Sequence, residues 1–159
     1  MSVFLPFFQW ADQSMVGVAI RGSKWLFPFI EAFHLVALAL LGGAVLLVDM
    51  RLLGWGLRKQ RVSQLFRDIQ PWMVCGLVVM LASGFLLFLS EPTKLYENLP
   101  FQIKIVFLVL AIGFTFTVRR RIAITDADVT RPFQSKLTAI VSVTLWSMVG
   151  LMGRGIGFW

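Results

Sequence analysis

The chain has 159 residues, of which 58% are hydrophobic and 14% are charged, whereas a soluble globular domain is about half apolar and about a quarter charged. A mean hydropathy of +0.80 excludes an ordinary soluble domain and indicates one small integral membrane protein. The net charge of +7 comes from basic residues at the ends of apolar runs, where lipid headgroups and topology account for them. We therefore expect no nucleic-acid partner.

The first segment, residues 1–24, differs from the rest of the chain. Phe4, Phe7 and Phe8 alternate with polar residues such as Gln9 and Asp12, a pattern typical of an amphipathic helix lying in the membrane interface. A loosely ordered arm is the alternative. Because no Lys or Arg precedes the first apolar cluster, we expect no cleaved signal peptide.

Residues 25–159 contain four apolar runs, each about the length that a helix needs to cross a hydrocarbon core of about 30 Å. The predicted fold class is therefore all-α, an integral membrane four-helix bundle preceded by an interfacial amphipathic helix. We expect Pro71 and Pro100 to begin the second and third spans, because the missing N–H of proline costs nothing in a first turn. The predicted spans lie near residues 25–48, 71–90, 101–118 and 137–153.

The distribution of basic residues predicts the topology. The turn SEPTKLYENLP holds Lys94 against Glu91 and Glu97, whereas the connections 49–70 and 119–136 are rich in Arg and Lys. The positive-inside rule then places both long connections in the cytoplasm and both termini outside. We expect a multi-pass protein of a bacterial inner membrane with periplasmic termini.

Glu31 and His34 lie one turn apart in the first span and so share one helix face. Ionisable groups inside a membrane cost at least a few kcal/mol and mark functional sites. At about 1.5 Å per residue, His34 lies roughly 13 Å below the outer end of its helix, in the outer leaflet. His34 is thus a candidate haem, quinone or metal ligand, although one carboxylate–imidazole pair is too few ligands for a closed mononuclear metal site.

Two methionines could complete a haem site. In antiparallel helices the level of His34 falls near residues 80–83 of the second span and 144–148 of the fourth. Met80 and Met148 are therefore candidate axial ligands, or they merely fill core space. Two His34 side chains across a symmetric dimer are another arrangement.

Lys104 and Arg154 are candidate counter-charges for Glu31, because both lie near the outer ends of their spans. Either could form a structural ion pair with it. Alternatively, they could bind a haem propionate or a quinone headgroup, for which an interfacial cation is useful.

At the other end of the first span, Asp49 is expected to pair with Arg51 or with the arginines of residues 119–121, fixing helix ends without chemistry. The single cysteine, Cys75, has no partner for an intramolecular disulfide. We expect Cys75 to be a small core residue.

Several stretches carry a resemblance: FPFIEAFHLVALALLGGAVLLVDMRLLG, SGFLLFLSEP, PFQIKIVFLVL and GRGIGFW. In these the chain resembles a family of small bacterial inner-membrane proteins of unknown function, which implies a four-helix bundle and no established activity. It is more loosely similar to copper-resistance D-type and cytochrome b-type membrane proteins, whose helices carry histidines near the outer face. Cytochrome b bundles present paired histidines, and this chain has His34 alone.

These features predict a redox-associated membrane subunit with a haem b or quinone site around His34. The alternatives are a structural anchoring subunit and a proton or metal-ion translocator that uses Glu31 and His34. No Ser-His-Asp set, metal motif or phosphate loop is recognisable, so we expect no catalytic residues and no enzyme. The expected partners are the lipid bilayer and either further copies of the chain or a larger membrane complex.

Overall fold

The fold is known from a computed structural model that describes residues 5–56, 59–125 and 132–158. These residues form helices and turns, and no strand occurs among them. Four long helical segments make the bundle: α3 (Leu26–Leu53), α4 (Val62–Ser90), α6 (Leu99–Phe114) with its continuation, and α8 (Pro132–Gly155). The continuation of α6 is a π-helical turn (Thr115–Arg119) followed by α7 (Arg120–Ile124).

All four segments are long and apolar enough to cross a membrane, which confirms the four helices expected from the apolar runs. Short helices cap one end of the bundle, where α3 and α6 begin and α4 and α8 end. We call this the α5 end, after the helix α5 (Pro92–Glu97) that joins α4 to α6. It also carries α1 (Leu5–Asp12), α2 (Met15–Gly22) and the final 3₁₀ turn, Ile156–Phe158.

The prediction that Pro71 begins a span is wrong, because Pro71 lies inside α4. The helix continues before the proline since Val62, Leu65 and Phe66 are buried there, and their packing offsets the backbone hydrogen bond that proline cannot make. Pro100, by contrast, occupies the first turn of α6 as expected.

The core lies mainly between α3 and α4. α3 also packs against α8, and α8 packs against α6. Leu41 and Val45 of α3 meet Met73 and Leu77 of α4 in this core. Cys75 was expected in the core, but it is exposed, because it falls on the face of α4 turned away from α3.

The N-terminal segment folds onto the α5 end as the two short helices α1 and α2. Ser14 caps α2 by accepting a hydrogen bond from the Gly17 N–H. Phe8 contacts Phe88 of α4 and Tyr96 of α5, with ring centroids 5.4 and 5.0 Å apart. Residues 1–4 of the predicted interfacial segment lie outside the described residues, and the interfacial location itself stays a prediction.

Candidate functional site

The site begins with a hydrogen bond between α3 and α4. His34 Nδ1 lies 2.9 Å from Ser83 Oγ. This contact confirms that His34 lies level with residues 80–83, as the antiparallel arrangement predicts. The serine side chain is buried, whereas the histidine is half-buried.

Ser83 also decides which imidazole nitrogen carries the proton. Its hydroxyl lies 2.6 Å from the Val79 carbonyl oxygen, within the same helix, and donates its one proton there. Ser83 Oγ is then the acceptor, and Nδ1–H of a neutral His34 is the donor. The lone pair of the imidazole is consequently on Nε2, which makes no hydrogen bond within the described residues.

A glycine makes room for the ring. A Cβ atom on Gly84 would lie 3.1 Å from His34 Cε1 and 3.6 Å from Nδ1. The imidazole therefore lies over the bare backbone of α4, and any side chain at this position would displace it.

Lys104 of α6 brings a positive charge to the same region. Its ammonium lies against α8, where a Cβ on Gly153 would be 3.3 Å from Nζ. Lys104 makes no hydrogen bond or ion pair with any described residue. Gly84 thus lets the imidazole lie against α4, and Gly153 lets the ammonium lie against α8.

An aromatic pair lies between this region and the α5 end. Phe88 of α4 and Phe101 of α6 stack with ring centroids 6.0 Å apart and an interplanar angle of 11°. Each lies about one helical turn from the site glycine or lysine on its own helix, towards the α5 end. The pair joins α4 to α6 above His34 and Lys104.

The expected ion pair of Glu31 is not found. Glu31 is exposed, and neither Lys104 nor Arg154 lies within 4.0 Å of it. Arg154 is also exposed, and its guanidinium lies over the ring of Phe158 at 5.6 Å. The prediction failed because equal depth along two helices does not make their side chains point towards each other.

The candidate thioether ligands lie on the two partner helices of α3. The Met80 side chain is buried in the core between α3 and α4, and Met148 is half-buried on α8. Among the described residues no three His, Cys, Asp or Glu side chains cluster as a metal site. Axial coordination by either methionine stays a prediction.

A second polar cluster lies near the opposite end of the bundle. Asp49 and Arg119 are fully buried and form an ion pair with Nε 2.8 Å from Oδ1. Arg119 also donates to the Val45 carbonyl at 3.0 Å and contacts Met73 Sδ at 3.5 Å. Ser142 of α8 donates to the second oxygen of Asp49 at 2.6 Å, so this cluster connects all four long helical segments.

The sequence indicated part of this cluster. Asp49 was expected to pair with Arg51 or with an arginine of residues 119–121, and it pairs with Arg119, whereas Arg51 donates to the Gln60 carbonyl at 2.9 Å. Ser142 and Ser83 were not singled out, although a serine inside a membrane helix facing a polar side chain was a usable signal.

Together these features define a small protein whose described residues are helical, with four helices that could span a membrane, a buried ion pair and a histidine held through one ring nitrogen. A family model described as a family of unknown function (DUF6644) matches residues 7–159. The chain belongs to this family. No curated protein matches the chain, and no solved structure matches it.

Proposed function

We propose that the chain is a redox-associated membrane subunit that binds a haem or a quinone at His34. The hydrogen bond from His34 Nδ1 to Ser83 carries this proposal. An imidazole fixed through one nitrogen presents the other in a defined direction, which is how histidines that coordinate haem iron are held. The same lone pair on Nε2 can accept a hydrogen bond from a quinol hydroxyl.

The orientation in the membrane is part of the proposal. The α5 end faces the outside of a bacterial inner membrane, and the basic connections between α3 and α4 and between α7 and α8 face the cytoplasm. His34 and Lys104 then lie in the outer leaflet. A lipid-soluble ligand reaches them from within the bilayer.

Purification from native membranes in a mild detergent tests the proposal. The readouts are the optical spectrum before and after dithionite and the quinone content of an organic extract of the same sample. We expect either a Soret band or a bound quinone in roughly stoichiometric amount, lost in His34→Ala and reduced in Ser83→Ala. A preparation that contains neither ligand contradicts the proposal.

Ser90→Ala is the matched control for Ser83→Ala. Both serines are buried in α4, and the Ser90 hydroxyl likewise donates to a carbonyl of its own helix, that of Leu87 at 2.6 Å. Because Ser90 lies away from the imidazole, its loss should leave the ligand content unchanged. If the two variants lose ligand equally, the effect comes from helix stability and not from His34.

An anchoring subunit of a larger complex is the second candidate. Two observations favour it: Glu31 is exposed without a partner among the described residues, and the most apolar part of Leu99–Ile124 is only 11% buried. Both leave surfaces that another membrane subunit could cover. Gentle detergent extraction should then retain a stoichiometric partner, and consistent isolation as a lone chain speaks against this role.

We do not propose translocation. His34 and Asp49 are the polar residues on either side of the apolar middle of α3. About 22 Å of helix separates them, at about 1.5 Å per residue. Asp49 is in addition bound to Arg119 and Ser142. His34 and Asp49 therefore do not form a proton relay along α3.

A further inference from the structure

Lys104 requires an acceptor that the described protein residues do not provide. An ammonium has three N–H donors and no acceptor, and leaving it without a partner among apolar helices is costly. Its stem packs against Gly153, which fixes where the charge lies without neutralising it. A ligand with a carbonyl or anionic oxygen would supply the missing acceptor.

His34 adds the complementary group. Its Nε2 can accept a hydrogen bond, whereas Lys104 Nζ can donate one. The stacked Phe88 and Phe101 rings bring the α4 segment that holds the imidazole next to the α6 segment that carries Lys104. A ligand that bridges both groups therefore needs one donor and one acceptor. The two oxygens of a quinol or quinone lie across a single six-membered ring, whereas a haem carries its carboxylates at the edge of a macrocycle, away from the iron.

The surroundings of the two groups suit a flat headgroup with an apolar tail. The missing side chains at Gly84 and Gly153 let the imidazole lie against α4 and the lysine stem against α8. The stacked Phe88 and Phe101 rings cover the region on the side of the α5 end. Ile105, next to Lys104, is 42% exposed on the outside of α6, where an isoprenoid tail would contact apolar surface.

We infer that the ligand is a quinone headgroup bound between His34 Nε2 and Lys104 Nζ. This inference rests on the proposed function, because it names the ligand of the same site. His34 accepts a hydrogen bond from the hydroxyl of the quinol form, and Lys104 donates one to the opposite oxygen. The proposal concerns binding alone and includes no electron-transfer step.

Titration of the purified full-length chain in lipid nanodiscs tests the inference. The probes are decylubiquinone and menadione, each measured by equilibrium binding, with haem b titrated separately in the Soret region. We expect at least one quinone to bind. His34→Phe and Lys104→Met should each weaken quinone binding about tenfold or more, equivalent to about 1.4 kcal/mol. Circular dichroism and gel filtration establish that the variants are folded.

Two controls separate the site from general effects of charge and packing. Lys94→Met removes an equal charge from the α5 end at an exposed ion pair with Glu91 and should leave quinone binding unchanged. Gly153→Ala places a methyl group 3.3 Å from the Lys104 ammonium, whereas Gly150→Ala points into open space. Only the first of these alanines should weaken binding, by about threefold or more.

Each outcome is decisive. Quinone binding that weakens no more in Lys104→Met than in Lys94→Met overturns the inference. Binding of haem b that depends on His34, without binding of either quinone, overturns the inference and leaves the proposed redox function standing. Failure of wild-type protein to bind any of the three probes, together with ligand-free protein from native membranes, overturns both.

Discussion

Asp49→Asn should be among the most destabilising conservative substitutions in this chain. The change keeps the size of the side chain and removes the negative charge that faces Arg119 at 2.8 Å. The guanidinium cannot lose its proton, so the variant leaves a fully buried cation without a counter-ion. Breaking a buried ion pair in this way costs about 3–5 kcal/mol, and we expect the upper part of that range.

Arg119→Met, the complementary variant, should lower the free energy of unfolding by less. In Arg119→Met the carboxyl group of Asp49 can take up a proton and so become neutral, and Ser142 still lies 2.6 Å from its second oxygen. We therefore expect a loss in the lower part of the range of about 3–5 kcal/mol. Combining the two substitutions removes both charges, and the double variant should be more stable than the sum of the single losses predicts.

The differences in stability are measured by unfolding the protein in a mild detergent while circular dichroism at the helical band monitors the loss of helix. Lys94→Met is the control, because it breaks an ion pair of similar length, 2.6 Å, between side chains that are 74% and 44% exposed. Exposed pairs contribute about 0–1 kcal/mol. If Asp49→Asn loses no more stability than Lys94→Met, the buried pair does not hold the four helices together.

Three further predictions follow from the contacts. Gly84→Ala should shift the His34 ring and weaken ligand binding severalfold in a titration, whereas Gly42→Ala, whose Cβ meets nothing within 4 Å, should leave binding intact and stabilise α3 by about 0.5–1 kcal/mol. Gly17→Ala should separate α2 from the backbone at the end of α4 and expose the N-terminal segment to proteolysis, unlike Gly22→Ala, which points into open space. Epitope tags at either terminus should be reached by antibody from outside intact spheroplasts, and labelling only after permeabilisation would reverse the proposed topology.

The helices and their levels were predictable from the sequence, because apolar length and helix rise are one-dimensional quantities. These quantities placed His34 opposite residues 80–83, and the bond to Ser83 agrees. The direction of a side chain around its helix was not predictable in the same way. Lys104 was placed near the depth of Glu31, but its ammonium lies against Gly153 of α8 instead.

The choice among three consecutive arginines shows the same difficulty. The sequence indicated that Asp49 could pair with one of them, but periodicity alone did not say which. The π-helical turn that ends at Arg119 accommodates an extra residue and so rotates the following helix by about 100° relative to a continuous α-helix. Arg119 faces the core while Arg120 and Arg121 are exposed.

The two polar clusters differ in how their desolvation is offset, and this difference favours a ligand at one of them. At Asp49 and Arg119, the opposite charge, a serine hydroxyl and a backbone carbonyl satisfy the buried groups, so the protein itself compensates for their burial. At His34 and Lys104, the hydrogen bonds among the described residues involve Nδ1 alone, and neither Nε2 nor the ammonium has a hydrogen-bond partner there. A purely structural role would be expected to resemble the first cluster. The inferred quinone would supply the missing donor and acceptor, and the Lys104 and His34 variants decide whether it does.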